Sequence, residues 1–129
     1  MKRLPGEEEV FKKFEMGLYE AALRSNPNNV EALRSLGYIY SREGLHDKAL
    51  EIDQRLVRLL PEESIVHYNL ACSYSQLNNL DGALNELEMS VLLGYSDWKH
   101  MDNDKDLDNL RKDPRYQQLM ASLKKKYIV

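Results

Sequence analysis

The sequence has a single cysteine and no long apolar run. Cys72 is that cysteine, so the chain forms neither an internal disulfide nor a metal site built from cysteines. The opening stretch, MKRLPGEEEV, has no apolar core of the kind a signal peptide needs, and no window approaches the length of a membrane span. These absences predict a cytoplasmic protein without a membrane partner.

The chain also lacks a strong net charge and the short motifs of catalysis. Its formal net charge is −3, and it has no concentrated basic face of the kind that nucleic-acid binding needs. No glycine-rich phosphate loop, serine-nucleophile motif or paired acid and base signature is present. The sequence therefore predicts no nucleic-acid partner, no cofactor, no metal and no enzymatic activity.

The composition that remains is that of a soluble helical protein. Hydrophobic residues make up 43% and charged residues 30% of the 129 residues, with only 6 glycines and 4 prolines. Such a mixture is typical of a folded chain rather than a disordered one, and its length fits one domain. We expect residues 1–129 to form a single domain.

The sequence repeats itself at a step of 34 residues. Within each copy the apolar residues are three and four positions apart, which is the spacing of one helix face. Repetition at this period is typical of stacked units that bury their apolar faces only against their neighbours. The step superposes Leu36 on Leu70, Gly37 on Ala71, Tyr40 on Tyr74, Ala49 on Ala83 and Leu50 on Leu84.

Turn and cap signals divide each copy into two helices. Asn28 and Glu31 have the spacing of a capping box, which predicts that the first helix starts there. Gly44 suits the left-handed end of that helix, and Asp47 suits the positive start of the next. Pro61 ends the second helix, so the unit is a helical hairpin, and the next begins at Ser64.

The spacing resembles the tetratricopeptide repeat. Its first copy reads Leu33-x2-Leu36-Gly37-x2-Tyr40, followed by Ala49 and Pro61, and its second reads His67, Leu70, Ala71, Tyr74, Ala83 and Leu87. Small residues at 37, 49, 71 and 83 then allow the paired helices to approach closely. Two positions depart from the family pattern: Asp53 replaces an aromatic residue, and Tyr95 replaces a proline after a Gly94 cap.

The resemblance implies an all-α fold in which antiparallel helical hairpins stack in a right-handed solenoid. Two full units span residues 30–61 and 64–95. Residues 7–25 predict an N-terminal capping helix with Phe11, Phe14, Met16, Leu18 and Ala22 on its inner side. Residues 96–126 read as a degenerate third unit that resembles the closing segment of bacterial repeat proteins, with a last helix from about 114 to 125.

In the family that the sequence resembles, first helices line a groove that binds peptides of partner proteins. A protein or peptide partner is therefore implied for this chain. Only Asn69 clearly matches the five residues with which some members grip the acidic tails of chaperones, since Tyr38 and Asn103 depart, so that partner is not predicted. The groove positions carried over are Arg34, Ser35, Tyr38, Arg42, Tyr68, Asn69, Cys72, Gln76 and Lys99.

Two alternatives stay open beside a peptide-binding adaptor. An exposed hairpin end permits weak self-association, which would make the chain a self-assembling scaffold unit. Residues Asp102 to Asp113 resemble a calcium loop, but Leu107 stands where the sharp turn requires glycine and Asp113 where a glutamate is usual. We expect this stretch to be an acidic loop whose aspartates cap short helices.

Overall fold

The computed structural model describes residue 4 and residues 6–127, and every regular element in them is helical. The predicted all-α fold class is confirmed. None of the helices in this part of the chain is both long and apolar enough to cross a membrane. The elements are α1 (Glu7–Ser25), α2 (Val30–Arg42), α3 (His46–Leu59), α4 (Ser64–Gln76), α5 (Leu80–Leu92), α6 (Trp98–Asn103), a 3-10 turn (Lys105–Leu107), α7 (Asp108–Arg111) and α8 (Pro114–Tyr127).

The helices fall into two compact units. Unit 1 spans Met1–Leu59 and contains α1, α2 and α3, whereas unit 2 spans Leu60–Val129 and contains the remaining helices. The boundary lies two residues before the predicted end of the first repeat at residue 61. That the whole chain forms one domain stays a prediction.

Helix starts follow the 34-residue step through all three hairpins. First helices begin at Val30, Ser64 and Trp98, and second helices begin at His46, Leu80 and Pro114. The third hairpin, whose sequence reads as a degenerate repeat, therefore keeps the spacing of the other two hairpins. What it loses is an unbroken first helix, because α6, the 3-10 turn and α7 stand in place of one element.

Close packing of α2 on α3 explains the small residues of unit 1. A Cβ atom added to Gly37 would lie 3.0 Å from Cγ2 of Ile52, and Ala49 is buried in the same hairpin. Gly44 ends the turn with a φ of 75°, as its position predicts. The predicted capping box is wrong by one residue, because the side chain of Asn29 accepts the amide of Ala32 and so caps α2.

The inner side predicted for α1 is only partly correct, because Met16 and Ala22 are half-buried but the three largest apolar residues predicted with them are not. Leu23 is its buried residue, while Phe11, Phe14 and Leu18 are exposed. A salt bridge of 3.2 Å between Lys12 Nζ and Glu43 Oε1 also fixes this orientation. The prediction failed for the three exposed residues because it placed the most apolar stripe inward, whereas packing on α2 uses the neighbouring, more polar stripe.

In unit 2, α4 and α5 form the second hairpin around two buried alanines, Ala71 and Ala83. His67 is also buried, and it links α4 to α5 and to the segment before α4. Its Nδ1 lies 2.6 Å from the carboxylate of Glu86, and its Nε2 lies 2.8 Å from the carbonyl oxygen of Pro61. Both ring nitrogens therefore have a partner, as a buried polar side chain requires.

The first helix of the third hairpin breaks at Asp104, which has extended backbone angles. At the 34-residue step, Asp104 occupies the position of Leu70, and Lys105 occupies that of Ala71. A lysine at the crossing prevents the close approach that glycine or alanine allows, and an aspartate favours caps over helix interiors. Arg111 bridges the break by donating to the carbonyl oxygens of Met101 and Asp104.

Candidate functional site

The predicted groove residues of unit 1 form an exposed row on α2. Arg34, Tyr38 and Arg42 are four residues apart, so they lie on one face of the helix. All three are accessible to solvent, and Tyr38 exposes 64% of its surface. Ser35 lies beside them and is half-buried. We call Arg34, Tyr38 and Arg42 the α2 row.

Within the α2 row, Arg42 and Tyr38 form a pair. Nη1 of Arg42 donates to the Tyr38 hydroxyl at 2.9 Å, and the guanidinium carbon lies 5.6 Å from the centre of the ring. The contact combines a hydrogen bond with a cation–π interaction at the surface. The row therefore offers a rigid aromatic surface between two positive charges.

The equivalent residues of unit 2 are not open. Tyr68 and Cys72 are buried, and both contact the carboxylate of Asp104 from the third hairpin. The Tyr68 hydroxyl donates to Oδ2 at 2.6 Å, and the Cys72 sulfur lies 3.8 Å from the same oxygen. The Tyr68 ring also stacks on Tyr95, with centroids 4.2 Å apart. Burial raises the pKa of Tyr68 far above its ordinary value, and the negative charge of Asp104 raises it further.

Gln76, the next predicted residue on this face, is also engaged by the third hairpin. Its amide donates to Oδ1 of Asp106 at 3.0 Å. By contrast, Asn69 on α4 and Lys99 on α6 are exposed. The structure therefore separates the nine predicted residues into those exposed to solvent and those that are half-buried or lie under the chain's own segment. The exposed set is Arg34, Tyr38, Arg42, Asn69 and Lys99.

The sequence did not reveal that the third hairpin packs over this face of α4, because the sequence of that hairpin reads as a degenerate repeat. Had α6 and α7 been recognised as a first helix at the 34-residue step, the aspartates between them would have been expected to face α4. The hydrogen bond from Asn109 to the carbonyl of Ser75, at 3.1 Å, belongs to the same contact. Tyr68, Cys72 and Gln76 are thus interior contacts of unit 2 in this structure.

The aspartate run from residue 102 to 113 is divided among separate partners. Asp102 accepts from Tyr116 and Lys124, while Asp113 accepts from Arg115. Asp104 caps the 3-10 turn by accepting the amide of Asp106 at 3.0 Å, as the capping interpretation predicts. In the described residues, one group has possible metal-ligand atoms within 4.8 Å of one another, namely Cys72, Asp104 and Asp106. The carboxylates of Asp104 and Asp106 already accept hydrogen bonds from Tyr68 and Gln76 of α4, so the calcium interpretation gains no support.

Unit 1 also holds an open cleft that the sequence did not predict. Its volume is about 320 Å³, and α1 and α3 form its walls. Tyr40 lies at its floor and donates its hydroxyl to Glu20 at 2.9 Å, while Lys48 stands 5.5 Å from the centre of the ring. The lining residues are Glu20, Leu23, Arg24, Leu36, Tyr40, Lys48, Glu51, Ile52 and Arg55.

The position of Tyr40 shows why sequence reasoning missed the cleft. Tyr40 is a packing position of the repeat, and its ring is buried as predicted. Burial and the nearby Glu20 carboxylate raise the pKa of its hydroxyl to about 12. Mixed charges line the rim, so the cleft carries no single electrostatic preference.

Comparisons with known proteins agree with the repeat. The profile of the tetratricopeptide repeat matches residues 18–51, which include the end of α1 and most of the first hairpin. A chloroplastic protein of Arabidopsis thaliana is 34% identical over 95 residues, 71% of this chain and 28% of the relative. The human interferon-induced protein with tetratricopeptide repeats 2 is 28% identical over 85 residues, 61% of this chain and 18% of the relative.

Among solved structures, the chain is similar to the crystal structure of MamA. The TM-score is 0.63 at 24% identity, with 99% of this chain and 79% of the other covered. The chain spans less than a third of either curated relative, so their whole-protein activities do not carry over. The likeness of the closing segment to those of bacterial repeat proteins stays a prediction. The repeat profile thus identifies a tetratricopeptide repeat within this chain, in agreement with its 34-residue step.

Proposed function

We propose that the chain is a protein–protein interaction module that binds an acidic or C-terminal peptide segment of a partner. The α2 row is the proposed contact in unit 1, and Asn69 and Lys99 are the exposed predicted residues of unit 2, each unit being considered by itself. The role is one of binding rather than catalysis. A cytoplasmic location, an adaptor role and the absence of a nucleic-acid partner belong to the same proposal.

The observation that carries the proposal is the α2 row itself. An aromatic side chain exposed to 64% stands here between two arginines, and tyrosine and arginine are enriched at energetic centres of interfaces. The Arg42 contact favours one orientation of Tyr38 before any partner arrives. Less conformational entropy is then lost on binding.

The charges of the row define the chemistry of the partner. Arg34 and Arg42 flank Tyr38 at one helical turn each, so a carboxylate beside an apolar side chain fits between them. Asn69 adds a donor and an acceptor for a peptide backbone. A free C-terminus or a glutamate-rich segment satisfies both requirements.

The proposal is tested by capture of partners on wild-type protein and on an Arg34→Ala/Asn69→Ala double variant. The wild type is expected to retain a partner that the double variant loses. Arg58→Ala is the matched control, because Arg58 is an arginine in the last turn of α3 and lies outside the row. Equal capture by wild type and the double variant would refute the proposed surface.

A direct measurement uses two synthetic peptides that differ only at their ends. Nuclear magnetic resonance titration with an acidic peptide carrying a free C-terminus is expected to shift the signals of Arg34, Tyr38 and Asn69. The same peptide with an amidated end is expected to bind more weakly, because one carboxylate is lost. Shifts confined to residues outside α2 and α4 would contradict the proposal.

A further inference from the structure

Helix α1 exposes its most apolar side. Val10 is 69%, Phe14 62% and Leu18 54% exposed, whereas Leu23 is buried against the rest of unit 1. Phe14 and Leu23 are nine residues apart, which is about two and a half turns, so they point in opposite directions. The helix therefore presents an apolar side to solvent over most of its length.

The exposed side has the spacing of a coiled-coil seam. Six residues follow one another at alternate steps of three and four, which is the a and d pattern of a heptad repeat. Two of them, Gly17 and Ala21, are small, and a Cβ on Gly17 would have nothing within 4 Å. The α1 seam consists of Glu7, Val10, Phe14, Gly17, Ala21 and Arg24.

The seam is complementary to itself when a second copy runs in the opposite direction. In an antiparallel pair with its twofold axis between Phe14 and Gly17, each a residue faces a d residue of the other helix. Phe14 then faces Gly17, and Val10 faces Ala21, so that a large side chain meets a small one in both layers. At the ends, Glu7 faces Arg24, which pairs opposite charges.

The residues that flank the seam match in the same register. On one side, Phe11 comes opposite Leu18 of the second copy, which extends the apolar contact. On the other side, Lys13 comes opposite Glu20, which again pairs opposite charges. A parallel pair would instead place each seam residue opposite its own copy, so that Glu7 meets Glu7 and Phe14 meets Phe14. Size and charge therefore both select the antiparallel arrangement.

We propose that α1 is a self-association surface, on which a second copy of this chain docks its own α1 in antiparallel orientation along the α1 seam. The surface is separate from the α2 row, so a dimer keeps both rows for partners. A contact between two helices of 19 residues is smaller than a standard protein interface, and the dimer is accordingly weak.

The first test measures mass as a function of concentration. Sedimentation equilibrium of the full chain up to about 1 mM is expected to show a monomer–dimer equilibrium. Phe14→Glu places a charge next to the twofold axis, and we expect it to weaken the dimer by about ten-fold or more. Met89→Glu is the control, because Met89 is also an exposed apolar residue but lies on α5.

The second test reverses the charges at the ends of the seam. Glu7→Arg and Arg24→Glu are each expected to weaken the dimer, because each variant places like charges opposite each other twice. The double variant Glu7→Arg/Arg24→Glu is expected to recover wild-type association. Both positions are exposed, so neither change is expected to disturb folding, which circular dichroism checks.

The third test reads the register by oxidation. In a Cys72→Ser background, Val10→Cys/Ala21→Cys is expected to form a disulfide-linked dimer. Residues 10 and 21 of one helix are about 16 Å apart, so they cannot be joined within one chain. Val10→Cys alone is expected not to cross-link. Position 10 lies opposite position 10 of the second copy only in a parallel pair.

The possible outcomes separate the proposal from its competitors. A strict monomer at about 1 mM, or equal association of wild type and Phe14→Glu, would overturn it. Association with efficient cross-linking of Val10→Cys alone would replace the antiparallel pair with a parallel one and equally overturn it. Equal partner capture by wild type and Arg34→Ala/Asn69→Ala, with an intact dimer, would instead count against the α2 row only.

Discussion

Helices α2 and α4 are the first helices of their hairpins, and residues at equivalent positions on them differ in solvent exposure. Tyr38 on α2 and Cys72 on α4 are one 34-residue step apart, yet Tyr38 is mostly exposed and Cys72 is buried. The same holds for Arg34 and Tyr68. Position within the repeat therefore does not decide whether a residue is available to a partner.

The difference arises from the third hairpin of unit 2. Its broken first helix places Asp104 where the other copies have a leucine, and this carboxylate accepts a hydrogen bond from Tyr68. Arg111 stabilises the break by donating to the carbonyl oxygens of Met101, before it, and of Asp104, at it. In unit 2 the chain itself thus supplies an acidic group to the face that in unit 1 is proposed to receive one from a partner.

Overpacking of a hairpin crossing is expected to have the largest effect. Gly37→Leu places a side chain against Ile52, where even a Cβ would lie at 3.0 Å, and should reduce the free energy of unfolding by about 1 to 3 kcal/mol or more. Ala83→Leu should do the same in unit 2, where Ala83 is fully buried. Chemical denaturation measures both, and unchanged stability of both variants would refute the packing described.

Removal of one hydroxyl compares the two faces directly. Tyr68→Phe loses the bond to Asp104 and is expected to cost about 1.5 to 3 kcal/mol, because the acceptor is a carboxylate in a partly buried position. Tyr38→Phe loses only an exposed contact with Arg42 and is expected to stay within about 0.5 kcal/mol. Similar losses in the two variants would contradict the distinction between a covered and an open face.

Alkaline pH is expected to weaken both units through buried tyrosines. Burial raises the pKa of Tyr40 to about 12, helped by Glu20, and that of Tyr116 to about 12, helped by Asp102. Unfolded tyrosine ionises near 10, so this stabilisation is complete below pH 10 and is lost as the pH rises from 10 to about 12. Absorbance titration follows the ionisation, and Tyr40→Phe and Tyr116→Phe should each remove one late-titrating group.

The smallest effect on stability is expected on the α2 row. Arg42→Ala and Tyr38→Ala should change the free energy of unfolding by no more than about 0.5 kcal/mol, since their contact lies at the surface. Both should nevertheless weaken binding of an acidic peptide with a free C-terminus. A large loss of stability would mean that the row is part of the core.

Periodic spacing was enough to predict the fold but not which surfaces are open. The steps of three, four and 34 located the hairpins and the small residues at their crossings, because close helix packing restricts those positions strongly. The same spacing gave a partly wrong inner side for α1, since an apolar stripe does not reveal whether the chain covers it. The cover on α4 was also missed, because it depends on aspartates in a helix whose repeat pattern is lost.

The central claim is that Tyr38 lies on an open face and Cys72 under a covered one. The rate of thiol alkylation measures it at equivalent positions, in the native chain for Cys72 and in Tyr38→Cys/Cys72→Ser for position 38. We predict that the thiol at position 38 reacts at least about ten-fold faster than Cys72, because burial beside a carboxylate suppresses the reactive thiolate. Equal rates at the two positions would contradict the account.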